Sequence, residues 1–162
     1  MKGAIGNAFI LNMVITFIII FYMLLIGGIA YTKAYKVKNY LLDSIVSFEE
    51  ASGFELFNEV LDFDGTVNDY LAKSGYILNN DDHRCPAGDE SYTILRDTGI
   101  GKYDYCIYVR NYEITGKSSD YQERKYSFKV ISYMKFDFPI VGEFLKIPLS
   151  GETRIFTTFK SV

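Results

Sequence analysis

The feature that most constrains this chain is an uncharged run of 23 residues, Ala8–Ala30, in which only Asn12 and Thr16 are clearly polar. As an α-helix the run is roughly 34 Å long, which is enough to cross a hydrocarbon core about 30 Å thick. Secretory signals usually have a shorter apolar region, about 7–15 residues, and then a small-x-small cleavage site. Here the run continues into Tyr31-Thr32-Lys33 instead.

This pattern predicts a retained transmembrane helix over residues 8–30, preceded by a short segment over residues 1–7. A cleaved signal and a buried core helix are the alternatives that the sequence leaves open.

Charge is distributed unevenly along the chain. The only charged side chains before Asp43 are Lys2, Lys33, Lys36 and Lys38, so the rest of the chain contains the other 13 basic and all 20 acidic residues. An acidic body without a Lys/Arg cluster argues against nucleic-acid binding, which needs positive charge to displace counterions from phosphates. The three lysines after the span favour a cytoplasmic body by the positive-inside rule.

The predicted helix does not stop at the membrane. Residues 31–52 contain neither Pro nor Gly, and Gly53 is typical of the position that follows a helix. Apolar residues recur with helical spacing at Tyr31, Ala34 or Tyr35, Leu41 or Leu42, Ile45 and Phe48. The sequence predicts one helix of about 45 residues whose segment 31–52 forms a juxtamembrane stalk. The alternative is an extension that packs on its own domain.

Residues 53–162 are predicted to form an α+β head. Segments 54–63 and 66–76 have the pattern of two short helices, the second of which begins at a Thr66 cap and ends at Gly75. Fourteen Tyr and 13 Phe without Trp favour a β-rich body. About four antiparallel strands are predicted, with a hairpin around TGIGK, in segments 91–97, 103–114, 124–139 and 152–159.

Cys85 and Cys106 are the only cysteines, and they are 21 residues apart. We predict a disulfide that ties a polar loop to a strand and stabilises the head by roughly 3 kcal/mol. It would place the head on an oxidising, extracytoplasmic side, opposite to the side that the lysines favour. Two reduced thiols, one of them buried in a strand, are the alternative.

No polar motif predicts catalytic, cofactor-binding or metal-binding residues, so we expect no enzymatic activity. His83 lies with Asp81, Asp82 and Cys85, but these are too closely spaced to ligate zinc tetrahedrally without a second cluster. DFDGTVND lacks the Glu at position twelve of a calcium loop, and we interpret it as a boundary between two helices. The glycines of TGIGKYDY lie between strands, which indicates a hairpin turn rather than a phosphate-binding loop.

The C-terminal segment FKVISYMKFDFPIVGEFLKIPLSGETRIF combines an alternating strand, an apolar crossing with Pro and Gly, and a last strand after Ile-Pro. Together with the single span and its long helix, it resembles the TadE-like pseudopilins of tight-adherence pilus systems, especially Gram-positive forms. The resemblance covers residues 8–50 and about 126–158. It implies a minor pilin-like protein in pilus assembly or surface attachment, with a cytoplasmic N-terminus and an external head. Its implied partners are the bilayer, other pilin-like subunits and assembly-platform proteins.

The chain departs from the family pattern at one place. Pilin substrates of prepilin peptidase usually carry Glu at mature position five, which after a cut at Gly3 or Gly6 would be Ala8 or Leu11. The departure implies an uncleaved chain, or an assembly or tip factor rather than the main subunit. Candidate residues for packing between membrane helices are Asn12, Gly27, Gly28 and Ala30.

Two other functions remain open at the level of sequence. One is a single-pass surface module, unrelated to pili, with an adhesion or ligand-binding head. The other is a regulatory protein that faces the cytoplasm, as the lysines would suggest.

Overall fold

The computed structural model describes residues 2–52, 60–78, 84–88, 91–97, 101–112, 117–118, 121–136 and 145–161. Two helices precede the strands: α1 (Lys2–Ser52) and α2 (Val60–Ser74). The strand segments are β1 (Thr93–Arg96), β2 (Tyr105–Tyr112), β3 (Lys117–Ser118), β4 (Tyr121–Phe136), β5 (Leu145–Glu152) and β6 (Phe156–Ser161). The predicted α+β class is confirmed.

Helix α1 is continuous over 51 residues and has two different halves. Its first half is long enough and apolar enough to cross a membrane: an 18-residue window reaches a mean hydropathy of 2.7, and none of that window is buried. The second half buries one stripe at helical spacing, formed by Ala34, Val37, Leu41 and Ile45. The segment 31–52 therefore packs on its own head, which is the alternative to a projecting stalk.

The pattern of that stripe was only partly predicted. Ala34, Leu41 and Ile45 are buried as their spacing indicated, and Val37 joins them. Tyr35, the alternative to Ala34, and Tyr31 remain 43% and 48% exposed.

The sheet is antiparallel and is built around β4. Strand β2 pairs along one side of β4, and β1 pairs with the outer side of β2, which confirms the predicted hairpin. On the other side β5 pairs with residues 129–136 and β6 with residues 121–126, so β5 and β6 follow one another along the same edge. The short β3 pairs with the start of β4.

Strand β5 was not among the four strands expected from the sequence, because it contains Pro148 and Gly151. Among the described strands it is bonded to β4 alone. A proline is tolerated in such an edge strand, since one side of the strand makes no ladder hydrogen bonds.

The hydrophobic core lies between the sheet and the two helices. Helix α1 contributes its buried stripe and α2 contributes Phe63, Val67 and Leu71, which lie four residues apart on one face. The sheet contributes Tyr105, Ile107, Val109, Tyr126, Phe128 and Val130. Burial of each large aliphatic or aromatic side chain here stabilises the fold by about 1.5–3 kcal/mol.

Helix α2 is unbroken from Val60 to Ser74, so the predicted boundary between two helices with Thr66 as the cap is wrong. Gly65 costs a helix interior about 1 kcal/mol, and burial of the α2 face outweighs that cost. The predicted stop at Gly75 is confirmed: its φ is +59°, the left-handed conformation that commonly ends helices. Most of the predicted helix 54–63, and Gly53, lie outside the described residues.

Candidate functional site at the exposed helix and its junction with the head

The first half of α1 presents apolar side chains in every direction. Phe9, Ile10 and Leu11 are all more than half exposed although successive residues lie about 100° apart around the helix. The described part of the chain buries none of the most apolar 18-residue window. Such a surface suits lipid or the helices of other proteins, because a contiguous apolar area of this size is rarely left in water.

The four residues predicted for helix packing do not share one face. At about 100° per residue, Ala30 lies in line with Asn12, Gly27 about 60° away and Gly28 about 160° away. The buried stripe from Ala34 onward falls within about 60° of the same line. Asn12, Gly27 and Ala30 therefore lie on the side of α1 that carries the buried stripe, and Gly28 lies outside that side, in the lining of a groove between α1 and α2.

Two hydroxyl groups near or within the exposed half of α1 form hydrogen bonds to carbonyls of the same helix. The Thr16 hydroxyl donates to the Asn12 carbonyl and the Thr32 hydroxyl to the Gly28 carbonyl, each at 2.8 Å. The Asn12 side-chain amide is exposed and has no hydrogen-bond partner among the described residues. It is the group in this half best suited to bonding a second helix.

The head attaches to α1 immediately beyond the apolar run. The Ser132 hydroxyl of β4 donates a hydrogen bond of 3.2 Å to the Ala34 carbonyl. The methylene stem of Lys38 packs against Gly151, where an added Cβ would lie 3.1 Å from Lys38 Cδ. The Lys38 ammonium lies 4.3 Å from the centre of the Tyr35 ring.

Two grooves flank α1 at this junction. The larger, about 710 Å³, lies between α1 and the end of α2, and we call it the α2 groove. Its lining includes Leu24, Leu25, Ile29, Thr32, Lys33 and Lys36. The other, the β4 groove, is about 490 Å³, and its lining includes Ile26, Ala30, Tyr76, Leu78, Tyr133 and Lys135. Lys33 lines both grooves.

Cys85 and Cys106 are joined by a disulfide, as predicted. Cys106 is fully buried in β2, and Cys85 lies in the segment before β1, where its backbone N–H donates to Asp97 Oδ1 at 2.8 Å. The bond ties this segment to the centre of the sheet. A small cavity beside it, about 100 Å³ and lined in part by Tyr92 and Tyr108, lies wholly within the head.

A buried ion pair joins α2 to β1. The Arg96 Nε donates to both carboxylate oxygens of Asp64, at 2.7 and 2.8 Å, and the side chains are 1% and 8% exposed. The guanidinium also donates to the carbonyls of Tyr103 and Tyr105, and the Tyr105 hydroxyl donates to Asp64. Gly101 leaves room for this arrangement, because a Cβ there would overlap the guanidinium.

Burial raises the pKa of the Asp64 carboxyl, and the charge and hydrogen bond of Arg96 oppose that rise. The same desolvation lowers the pKa of the Arg96 guanidinium, against the opposing effect of Asp64. Each charge is satisfied by the other and by neighbouring polar groups, so the pair serves to hold α2 on the sheet.

A second polar cluster surrounds Asp104. Lys146 Nζ donates to Asp104 Oδ2 at 2.8 Å, whereas the buried Oδ1 has no partner among the described residues. The Tyr76 hydroxyl donates to the Asp104 carbonyl at 2.8 Å and accepts the Tyr133 N–H at 2.7 Å. Burial, followed by the charge of Asp104, raises the pKa of Tyr133 to about 12. Burial is also the main cause that raises the pKa of Tyr76.

The remaining polar motifs are accounted for as follows. Asp64 and Asp69 of DFDGTVND both lie on α2, where Asp64 is buried against Arg96 and Asp69 is exposed, so they do not form a calcium loop. Asp81, Asp82 and His83 lie outside the described residues. Within the described ranges no group of three or more potential metal ligands occurs.

Arg96, Asp104 and Lys146 were not anticipated from the sequence. Arg96 pairs with a carboxylate 32 residues earlier and follows a register shift in the β1–β2 pairing. No local periodicity indicates such a long-range pair.

The chain was compared with protein-family models, with curated proteins and with solved structures, and none of the three comparisons gave a significant match.

Proposed function

We propose that this chain is a membrane-anchored, minor pseudopilin-like protein that takes part in assembly of a tight-adherence-type pilus or in surface attachment. The Ala8–Ala30 helix stays in the bilayer with its N-terminus in the cytoplasm. There it packs laterally against the helices of other pilin-like subunits and of an assembly platform. The head lies outside, against the membrane surface, and meets its partners there.

One observation carries the proposal: none of the apolar window in the first half of α1 is buried, whereas one stripe of its second half packs against the antiparallel sheet. Because none of the apolar window is buried, most of the span is available to other membrane helices, and only its last turns line grooves with the head. The buried stripe begins at Ala34, about one turn beyond the apolar run, so no linker separates the span from the head. A displacement of the span within an assembly is therefore transmitted to the head.

The proposed position of the head, on the extracytoplasmic side of the membrane, rests on the disulfide. A bond between Cys85 and Cys106 favours an oxidising compartment, because cytosolic thiols are kept reduced. The lysines after the span favour the opposite orientation, but two of them, Lys33 and Lys38, also lie against the head. Lys38 packs on Gly151 and Tyr35, and the Lys33 ammonium would lie 3.3 Å from a Cβ at Gly75, beside the carbonyl end of α2.

The role of a minor component is favoured by the absence of any acidic residue before Asp43. A subunit without the usual Glu cannot pair it with a neighbour's amino terminus. The exposed Asn12 amide supplies a neutral hydrogen-bonding group instead, of the kind that joins helices within a bilayer.

The proposal is tested by cross-linking in the cells that produce the protein, followed by purification of the tagged full-length chain and identification of its partners by mass spectrometry. We expect small single-span pilin-like proteins and a polytopic platform protein. The matched control replaces residues 8–30 with an unrelated 23-residue span and leaves the head intact; it should reach the membrane and lose these partners.

Two outcomes would contradict the proposal. Recovery of the wild-type chain without any membrane partner would exclude assembly through the span. Equal capture by the wild-type and span-replaced chains would mean that the head alone recognises its partners, as a surface adhesion or ligand-binding module does.

A further inference from the structure

We propose that the α2 groove binds one anionic phospholipid. Its acyl chain lies along Leu24, Leu25 and Ile29, and its phosphate is bound by Lys33 and Lys36. The site requires that the span lie in a bilayer, and it requires neither a filament nor any protein partner.

The groove has the right position along the helix. Lys33 is the first charged residue after Lys2, so the hydrocarbon region ends just before it. Leu25 and Lys36 both line the groove and are separated along α1 by roughly 16 Å. A groove of that length extends from the hydrocarbon into the headgroup layer, which is about 5–8 Å thick on each side of the bilayer.

The polarity of the groove changes in the same direction as the polarity of a phospholipid. Leucine and isoleucine side chains line the end towards the N-terminus, and Thr32, Lys33, Lys36 and Ser74 line the end near the head. Gly28 lies between the two ends, and a Cβ at this position would meet nothing within 4 Å, so an acyl chain has room to approach the helix backbone.

The charge of the groove favours an anionic occupant. Neither Lys33 nor Lys36 pairs with a carboxylate among the described residues. The Lys33 ammonium lies near Gly75 at the end of α2, and both Lys33 and Lys36 are exposed. Basic side chains at a membrane surface attract anionic lipid, and two of them predict a preference on the order of tenfold over a zwitterionic lipid.

A second protein helix fits this groove less well. A helix with its side chains is about 10–12 Å across, and α2 closes the head end of the groove through Tyr70 and Ser74. A protein occupant would also need an acidic residue at the depth of Lys33 and Lys36 to match their charge.

Native mass spectrometry of the full-length, disulfide-bonded protein in detergent tests the site, with phosphatidylglycerol and phosphatidylcholine added separately. We expect one phosphatidylglycerol to be retained at about tenfold lower concentration than phosphatidylcholine. The Lys33→Gln/Lys36→Gln variant should lose this preference. The Lys125→Gln/Lys160→Gln variant is the control, because it makes the same change in charge on β4 and β6, away from the groove. These strands pair near Tyr126, whose hydroxyl donates to Glu49 near the C-terminal end of α1. This variant should keep the preference for phosphatidylglycerol.

Gly28→Leu provides a second test that leaves both lysines in place. The added side chain fills the apolar half of the groove, so retention of the lipid should fall while the disulfide and the near-ultraviolet circular dichroism of the head stay unchanged. Equal retention of the two lipids by the wild type would overturn the proposal. The proposal would also be overturned if the lysine variant and Gly28→Leu both retained phosphatidylglycerol as well as the wild type does.

Discussion

Ser132, in the C-terminal half of β4, donates a hydrogen bond to the carbonyl of Ala34, four residues beyond the end of the apolar run. Ser132 lies opposite Tyr105 of β2 and Leu149 of β5, so the bond fastens the centre of the sheet to α1. The head is thus built around the continuation of its own anchor, and its stability depends on the side chains that α1 contributes to the core.

Leu41→Ala should lower the free energy of unfolding of the head by about 2–5 kcal/mol, because Leu41 is fully buried at the centre of the α1 stripe. The matched control is Leu24→Ala, the same substitution at an exposed position of the span. Urea unfolding of the full-length protein in detergent, followed by the circular dichroism of its tyrosines, measures both. Equal midpoints for the two variants would show that α1 does not contribute to the core.

Asp64→Asn should destabilise the head by about 3–5 kcal/mol, because it leaves the Arg96 guanidinium buried beside a neutral partner. Asp64→Leu combined with Arg96→Met removes both charges and should recover most of this loss. Urea unfolding of Asp64→Leu, of Arg96→Met and of the double variant gives the coupling energy. Strictly additive effects would mean that the two side chains do not form a pair.

The same substitution should have opposite effects at two glycines. Gly65→Ala lies in the interior of α2, where a Cβ would meet nothing within 4 Å, and should stabilise the head by about 0.5–1 kcal/mol. Gly101→Ala would overlap the Arg96 guanidinium and come within 2.7 Å of Asp64 Oδ2, and should cost about 1–3 kcal/mol. Thermal unfolding of both variants checks the difference in sign, and a stabilising Gly101→Ala would contradict the position of Arg96.

The stability of the head should fall as the pH rises from about 10 towards 12. The pKa of Tyr133 is raised to about 12 in the folded protein, from 10, so above pH 10 the folded state holds a proton that the unfolded state releases. Tyr133→Phe should make the dependence of the urea midpoint on pH less steep between pH 9.5 and about 11.5. An unchanged slope in Tyr133→Phe would contradict the raised pKa of this hydroxyl.

The parts of the fold that depend on local patterns could be predicted from the sequence. The long α1, the β1–β2 hairpin and the stop at Gly75 each follow from periodicity or from the conformational preference of one residue. The disulfide could be predicted because only two cysteines are present.

The parts of the fold that depend on tertiary packing could not be predicted from the sequence. The Thr-x-x-Asp pattern at Thr66 resembles a helix start, but burial of the α2 face continues the helix through it. Pro148 argues against a strand unless its position at the edge of the sheet is known. The two grooves at the junction depend on where the head attaches, which no local pattern indicates.

The side of the membrane on which the head lies is tested most directly by thiol labelling of intact cells with a membrane-impermeant maleimide. Thr157→Cys places a reactive thiol at an exposed position of β6. We expect one adduct per chain in intact cells, and still only one after lysis and denaturation without reductant, because Cys85 and Cys106 are bonded to each other. No adduct in intact cells, followed by three after lysis, would place a reduced head in the cytosol and contradict the proposed orientation.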